Sequence, residues 1–416
     1  MVCSTSCLGI GGKIKLRYSD FIVEEIARDG RIARVERFLE EGALDNPTKI
    51  IVPENPEKKD FLHFDLEKFN SDVSFCIKRL TRYLQLSQKR IGYAGLKDKR
   101  AITCQRISLF QPPAERLEQF SSKLMDLRNA EWSNERIEIG SLKGNRFTIT
   151  IRALELEKKE IEERIKDFFA EAKKDGIANF FGEQRFGGIR QITHRVGKEF
   201  VKGNMEEAVM LYLTAPAEKE EEAVKAARKN LAETRDFSRA VNEFPNEYRF
   251  ERAIIHHLCK HPKDFVNAFG NLPKSIRFLF THAYQSHLFN RIIEERLKLG
   301  FGLKQIDGDV LEDGIPAAAL FGFESVLADG KAGEIEKKVL GEEGTELKDF
   351  FVKQMPELSS KGSRKKIVLA LLEPELLEIC EDEFNDGKLK AIVRFSLEKG
   401  NYATTVLEEL MKTRNA

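Results

Sequence analysis

The chain has 416 residues, which is too long for one ordinary hydrophobic core and favours two domains. Its hydrophobic fraction of 41% and mean hydropathy of −0.40 are typical of a water-soluble globular protein, and no apolar run reaches membrane-spanning length. The 69 basic and 68 acidic residues leave a net charge of +1, which by itself indicates no class of partner. Six scattered cysteines and no apolar leader near the start predict a cytoplasmic protein without a disulfide framework.

The first part of the chain is predicted to be rich in strands. Alternating or continuous apolar patterns predict strands at residues 13–17, 21–26, 63–67, 91–95, 102–110, 137–139 and 147–151. Asn70-Ser-Asp72 can cap a helix that follows it, and Gly176 is expected to end a second helix. The apolar faces of these two helices consist of Val73, Ile77, Leu80 and Leu84, and of Ile161, Ile165, Phe168 and Phe169.

The second part reads mainly as helix. Residues 193–268 are predicted to be mostly charged helix, and a further helix covers 278–299 before Gly300. Short strands are expected within 315–323, a clear strand at 388–397 and a closing helix at 403–411. No internal repeat is present. The order of elements predicts an α+β chain with a mixed middle and a final strand–helix unit.

Positive charge is concentrated around one acidic residue, Asp98. Six basic residues and this single acid lie between Lys89 and Arg106. Nearby cations favour an ionised carboxylate, which suits a base or nucleophile, and Lys97, Lys99 and Arg100 would suit RNA phosphates. An ordinary charged β-turn is the alternative, and spacing alone favours it.

Longer motifs favour the functional interpretation. Ala94-Gly-Leu-Lys-Asp-Lys-Arg-Ala-Ile-Thr-Cys-Gln105 resembles the signature of the TruD family of tRNA pseudouridine synthases. Four further stretches, spread over nearly the whole chain, resemble other motifs of that family: residues 15–25, 142–147, 179–187 and 400–404. The family frequently has Pro where Tyr18 stands and Arg where Glu408 stands, so a phosphate contact from Glu408 is not expected.

The resemblance implies roles for individual residues. Asp98 falls on the catalytic aspartate, with no metal or organic cofactor implied. Asn145 is implied to hydrogen-bond near the active site, and Phe147 to stack on the uracil ring; the alternation with Ile149 and Ile151 also fits plain core packing. Lys15 fits a pairing with Asp98 and equally an exposed strand lysine.

Two more positions keep alternatives open. Tyr402 aligns with an aromatic residue near the active site, and a tyrosine also packs well where a strand turns into a helix. Arg185, in the motif 179–187, fits a phosphate contact or an internal ion pair. The segment His256-His-Leu-Cys-Lys-His261 lacks the spacing of paired metal ligands and reads as a helix end.

The resemblance also implies an architecture and a substrate. A discontinuous pseudouridine-synthase catalytic domain of mixed sheet and flanking helices would comprise residues 1–187 and 374–416, with an inserted α+β TruD domain at 188–373. The substrate would be tRNA, commonly its uridine at position 13 in the D arm. Membrane partners are not expected, and the oligomeric state is undetermined, a monomer being compatible. The rival hypotheses are an RNA-binding protein without catalysis and an unrelated carboxylate-dependent hydrolase.

Overall fold

The computed structural model describes residues 3–413. The outermost residues of the predicted catalytic domain, 1–2 and 414–416, lie outside the described residues. Two compact units are present: the first combines Cys3–Ile177 with the C-terminal segment from Leu369, and the second is Ala178–Val368. The assignment of 1–187, 374–416 and 188–373 to two functional domains stays a prediction.

The regular elements follow one another along the chain as thirteen strands and twelve α-helices within the described residues. The strands are β1 (Phe21–Ala27), β2 (Phe61–Phe69), β3 (Ile91–Tyr93), β4 (Ile102–Phe110), β5 (Met125–Ser133), β6 (Leu142–Leu154), β7 (Ile177–Ala178), β8 (Val310–Glu312), β9 (Ile315–Leu320), β10 (Ser363–Lys366), β11 (Val368–Leu369), β12 (Leu372–Glu381) and β13 (Leu389–Glu398). The helices are α1 (Val73–Leu84), α2 (Ala114–Glu118), α3 (Lys158–Asp175), α4 (Thr193–Val201), α5 (Met205–Thr214), α6 (Glu222–Thr234), α7 (Phe237–Glu243), α8 (Arg249–Lys260), α9 (Phe265–Gly270), α10 (Lys274–Lys298), α11 (Gly330–Glu343) and α12 (Ala403–Met411).

An eight-stranded mixed sheet organises the first unit. Its strand order is β12-β13-β6-β1-β4-β2-β5, and β3 pairs with β4 on the side away from β2. Only β1 and β4 run parallel to each other, and the other pairs are antiparallel. The two central partners, β1 and β4, therefore bring the segment before β1 and the loop before β4 to the same edge of the sheet.

Two helices cover one core of this sheet because their apolar stripes match its inward-facing residues. Ile149 and Ile151 of β6 are fully buried and belong to one cluster with Ile161 and Ile165 of α3 and with Val406 of α12. Helix α1 begins directly after Asp72, as predicted, and the bounds of α12 coincide with the predicted 403–411. Gly176 caps α3 with a φ of 74°.

Two predicted strands are wrong. Residues 13–17 form only an isolated bridge at Lys13, because Lys15 takes a left-handed φ of 57° that breaks an extended chain. Residues 137–139 are irregular, and β6 instead runs without interruption from Leu142. Strand β5 was not predicted, since its polar half at the sheet edge carries little alternation.

Helices dominate the second unit. Helices α4–α10 form one apolar cluster, and α10 with α11 and the three-stranded sheet β10-β9-β8 forms another. The α+β fold class is therefore confirmed. In the described part of the chain, no helix combines the length and apolar character that a membrane crossing requires.

Candidate active site

The loop that carries Asp98 connects β3 to β4 and is fixed at both ends. Gln105 of β4 donates from Nε2 to the carbonyl of Gly95 at 3.1 Å. The carbonyl of Ala94 accepts from Gly140 N at 2.7 Å, and that of Ala101 accepts from Asn70 N at 3.1 Å. These hydrogen bonds restrict the loop from two neighbouring strands and a turn, so Asp98 is presented on a defined backbone.

Asp98 is half-exposed and meets a lysine from the segment before β1. Its Oδ1 lies 3.0 Å from Lys15 Nζ, with side chains 38% and 17% exposed. The same ammonium lies 3.9 Å from the centroid of the Phe21 ring. Of the two interpretations of Lys15, pairing with Asp98 is the one present. Part of the carboxylate remains open to solvent.

A buried lysine, Lys68, forms a hydrogen bond with the backbone of Asp98. Its Nζ donates to the Asp98 carbonyl at 2.6 Å, and the residue is fully buried in β2. Burial lowers the pKa of Lys68 from 10.5 to about 8. Lys68 was not among the predicted site residues, although the sequence carries a signal: Lys68 continues the alternation of Phe64 and Leu66, where an apolar side chain is expected.

Lys97 points into the protein. Its Nζ lies 2.6 Å from Glu25 Oε2, and both side chains are almost fully buried. Glu25 Oε1 also accepts from the backbone N of Arg106 at 3.2 Å. Glu25, which the sequence analysis did not single out, thus ties β1 to the Asp98 loop and to β4. A contact between Lys97 and phosphate stays a prediction. In this conformation the Lys97 ammonium is paired with Glu25.

The other two cations of the loop lie nearer the solvent. Lys99 Nζ is 3.9 Å from Asp72 Oδ2, and both side chains are mostly exposed. Arg100 donates from Nε to the carbonyl of Lys15 at 3.0 Å, and its guanidinium lies over the Tyr18 ring at 5.9 Å. Arg100 therefore helps to hold Lys15 in place while remaining at the surface.

Asn145 and Phe147 lie on β6, directly across from β1. Asn145 pairs in register with Glu25, and its Oδ1 is buried without a hydrogen-bond partner among the described residues. Phe147 is 5% exposed and packs against Phe21 and Phe395, at ring-centroid distances of 6.2 and 5.7 Å. Phe21 is thus shared between the Lys15 ammonium and the Phe147 ring. The stacking role of Phe147 stays a prediction beside core packing.

Tyr402 precedes α12 and is 43% exposed. Within residues 3–413, no hydrogen bond or ion pair joins Tyr402, Asn145 or Phe147 to Asp98. All the predicted site residues nevertheless belong to the first compact unit. The structure therefore brings together Asp98, Lys15 and Arg100 by direct contact, with Asn145 and Phe147 one strand away.

The described residues contain no cluster of side chains arranged to bind a metal ion. Among residues 3–413, His, Cys, Asp and Glu side chains do not gather in groups of three or more around one point. His257 instead pairs with Asp264 at 3.0 Å near the end of α8. The expectation of metal-independent chemistry stays a prediction.

Comparison with known proteins identifies the family. The family model of tRNA pseudouridine synthase D (TruD) matches residues 2–314 and 311–410, which is nearly the whole chain. The chain belongs to the TruD family. This membership confirms the predicted family and its enzyme class, an isomerase of the tRNA pseudouridine synthase type.

Individual relatives of this TruD chain cover it almost completely. A Methanococcoides burtonii protein named "Probable tRNA pseudouridine synthase D" is 38% identical over 98% of this chain and 95% of its own. A Methanopyrus kandleri protein of the same name is 39% identical over 84% of each chain. The crystal structure of a Methanosarcina mazei protein, described as a candidate TruD, superposes with a TM-score of 0.81 at 36% identity, covering 99% of this chain and 96% of its own.

Proposed function

We propose that this TruD-family chain isomerises one uridine of tRNA, U13 of the D arm, to pseudouridine, with Asp98 as the catalytic carboxylate. The observation that carries the proposal is the setting of Asp98. It is a half-exposed carboxylate on a restrained loop, with a cation at 3.0 Å and a second lysine fixing its carbonyl. The protein is proposed to act in the cytoplasm.

The chemistry asks little beyond such a carboxylate. The N1–C1′ bond of uridine breaks and a C5–C1′ bond forms; C5 loses a proton and N1 gains one, so the reaction needs no oxidant. Asp98 would either attack C1′ or abstract a sugar proton, and both routes use the ionised form. The Lys15 ammonium, 3.0 Å from Oδ1, fixes the orientation of the carboxylate.

The uridine must leave its stack before Asp98 can reach the sugar. Asn145, whose buried Oδ1 has a vacant hydrogen-bonding capacity among the described residues, is proposed to accept a hydrogen bond from the substrate. Phe147 is proposed to support the extruded base, and Tyr402 to contact it from the solvent side. Lys99 and Arg100 are the cations proposed to bind the flanking phosphates, because their side chains lie near solvent.

Tritium release tests the proposal. A tRNA transcript labelled with [5-³H]uridine loses its label only when C5 is joined to the sugar. The wild type is expected to release tritium with chelator present, and Asp98→Asn to release none while retaining its fold and most of its tRNA affinity. Asp72→Asn is the matched control, since Asp72 is an exposed carboxylate near the same loop.

The target position is tested with the same assay. A transcript that carries cytidine in place of U13 is expected to release no tritium. Release by Asp98→Asn at the wild-type rate would remove the proposed mechanism. Release that stops with chelator would favour metal-dependent chemistry, and undiminished release from the U13-less transcript would assign a different uridine.

A further inference from the structure

A concave pocket in the second unit remains outside the proposed active site. It has a volume of about 380 Å³, and its lining includes Phe181, Arg185, Gln285, Ser360, Gly362 and Ser363. Arg185 belongs to the motif 179–187, whose role the sequence left open between a phosphate contact and an internal ion pair. No internal ion pair of Arg185 is present among residues 3–413.

A second cation stands beside the first. Ser363 and Lys365 lie two residues apart on β10 and so share one face, opposite Leu320 and Ala318 of β9. The Lys365 ammonium and the Arg185 guanidinium each lie 5.2 Å from the centroid of the Phe181 ring. Arg185 therefore lines the pocket, and Lys365 supplies a second cation against the same aromatic ring of its wall.

No acid neutralises this pair within ion-pair distance in the described chain. Glu312 acts on Lys365 only through space, and Arg185 adds repulsion. Burial and that repulsion lower the pKa of Lys365 to about 7. The rings of Phe181 and Phe289 compensate part of the cost, but an aromatic face is a weak partner for a desolvated ammonium. A bound anion would therefore stabilise these two cations.

The rest of the wall suits an anionic oxygen cluster. Ser360 and Ser363 contribute hydroxyl groups, and Gln285 is buried with its Nε2 already donating to Ser360 Oγ at 2.8 Å. Gly362 has a φ of 91°, and a Cβ there would lie 2.1 Å from Ser325 Oγ, so only glycine permits this close turn. A guanidinium fork and an ammonium beside hydroxyl donors match the needs of a phosphate group.

We infer that this pocket binds a backbone phosphate of the RNA substrate through Arg185 and Lys365. The inference rests on the proposed action on tRNA and adds a contact point in the second unit, remote in sequence from Asp98. Arg185 makes the paired hydrogen bonds and Lys365 adds the point charge. Entry of the phosphate restores a full positive charge on Lys365, because a nearby anion favours the protonated amine.

Salt-dependent binding tests this directly. The variants Arg185→Gln and Lys365→Met and the wild type are titrated with an unmodified tRNA transcript at several salt concentrations. Each substitution is expected to weaken binding roughly tenfold at low salt and to reduce the slope of log affinity against log salt by about one. The matched control is Lys366→Met on the opposite face of β10, whose ammonium lies 2.8 Å from Asp313. Equal slopes for all four proteins overturn the inference.

A measurement on the wild type covers the case in which a variant does not fold. Acylation of Lys365 is followed by mass spectrometry, with the exposed Lys348 as internal reference. The tRNA transcript is expected to protect Lys365 and to leave Lys348 unchanged. Absence of protection at saturating tRNA, or protection by inorganic phosphate and not by tRNA, overturns the RNA assignment.

Tritium release separates this inference from the proposed function. Wild-type release with unchanged salt slopes removes the phosphate pocket and leaves the isomerase proposal standing. Reduced slopes and Lys365 protection without any release retain the pocket as an RNA contact and remove the isomerase proposal.

Discussion

Replacing Lys68 with methionine separates the cost of burying this lysine from its contribution to the Asp98 loop. The folded protein holds the Lys68 pKa near 8, against 10.5 for an ordinary lysine. That difference corresponds to about 3 kcal/mol of stability that depends on pH. Between pH 8 and 10.5 the unfolded chain retains a proton that the folded chain has lost. The free energy of unfolding of the wild type therefore rises over this window relative to that of Lys68→Met.

Denaturant unfolding of both proteins from pH 7 to 10.5 measures the effect. Between pH 8 and 10.5, the free energy of unfolding of the wild type is expected to rise by about 3 kcal/mol relative to that of Lys68→Met. Below pH 8 the two free energies should depend on pH in the same way. The matched control is Lys166→Met, which removes a surface lysine that pairs with Glu162. Its curve should stay parallel to that of the wild type. Parallel curves for Lys68→Met would refute the assignment of a depressed pKa to this lysine.

Turnover provides a second, independent measurement on the same variant. The hydrogen bond from Lys68 to the Asp98 carbonyl, 2.6 Å long, is worth about 1.5–3 kcal/mol for a charged donor. If the loop depends on it, kcat for tritium release falls roughly tenfold to a hundredfold in Lys68→Met, with little change in tRNA affinity. An unchanged kcat would mean that the remaining loop contacts suffice to position Asp98.

Three further substitutions test the surrounding contacts. Lys15→Met is expected to lower kcat by roughly tenfold or more and to leave stability nearly unchanged, because a partly exposed pair contributes little to folding; equal kcat values would contradict its positioning role. Glu25→Gln should destabilise the protein by roughly 3–5 kcal/mol, since it leaves the Lys97 ammonium buried without its partner, and thermal unfolding that matches the wild type would exclude this. Phe147→Leu should cost catalysis about 1–3 kcal/mol if the ring stacks on the base, whereas Phe395→Leu, its ring neighbour, should lower only stability. A Phe147→Leu variant with the wild-type rate would return Phe147 to core packing.

The sequence determined much of the local structure because local patterns encode it. The stripe of Val73, Ile77, Leu80 and Leu84 has helical spacing, and all four residues are buried on α1. The predicted strand at 13–17 failed for the opposite reason. Its apolar alternation is real, but Lys15 adopts a left-handed backbone conformation that sequence periodicity does not report.

The candidate site also combines a feature that the sequence predicts with contacts that depend on the fold. Asp98 was predicted from its motif, because the motif is a continuous run of specific residue types that can be recognised in the sequence alone. Its supporting lysines were not distinguishable there: Lys15 contacts the carboxylate, Lys97 turns inward to Glu25, and Lys68 reaches the Asp98 carbonyl from another strand. These choices depend on the parallel pairing of β1 with β4 and on the antiparallel pairing of β2 with β4.

What the sequence by itself determined is therefore the family, the α+β class and the position of one carboxylate. Only the tertiary structure decided which cations face that carboxylate, which are buried with partners and which, like Lys365, stand beside another cation with no acid at ion-pair distance among the described residues. The physical reason is that charge interactions depend on distance and burial. Both quantities arise when residues far apart in sequence are brought together by the sheet.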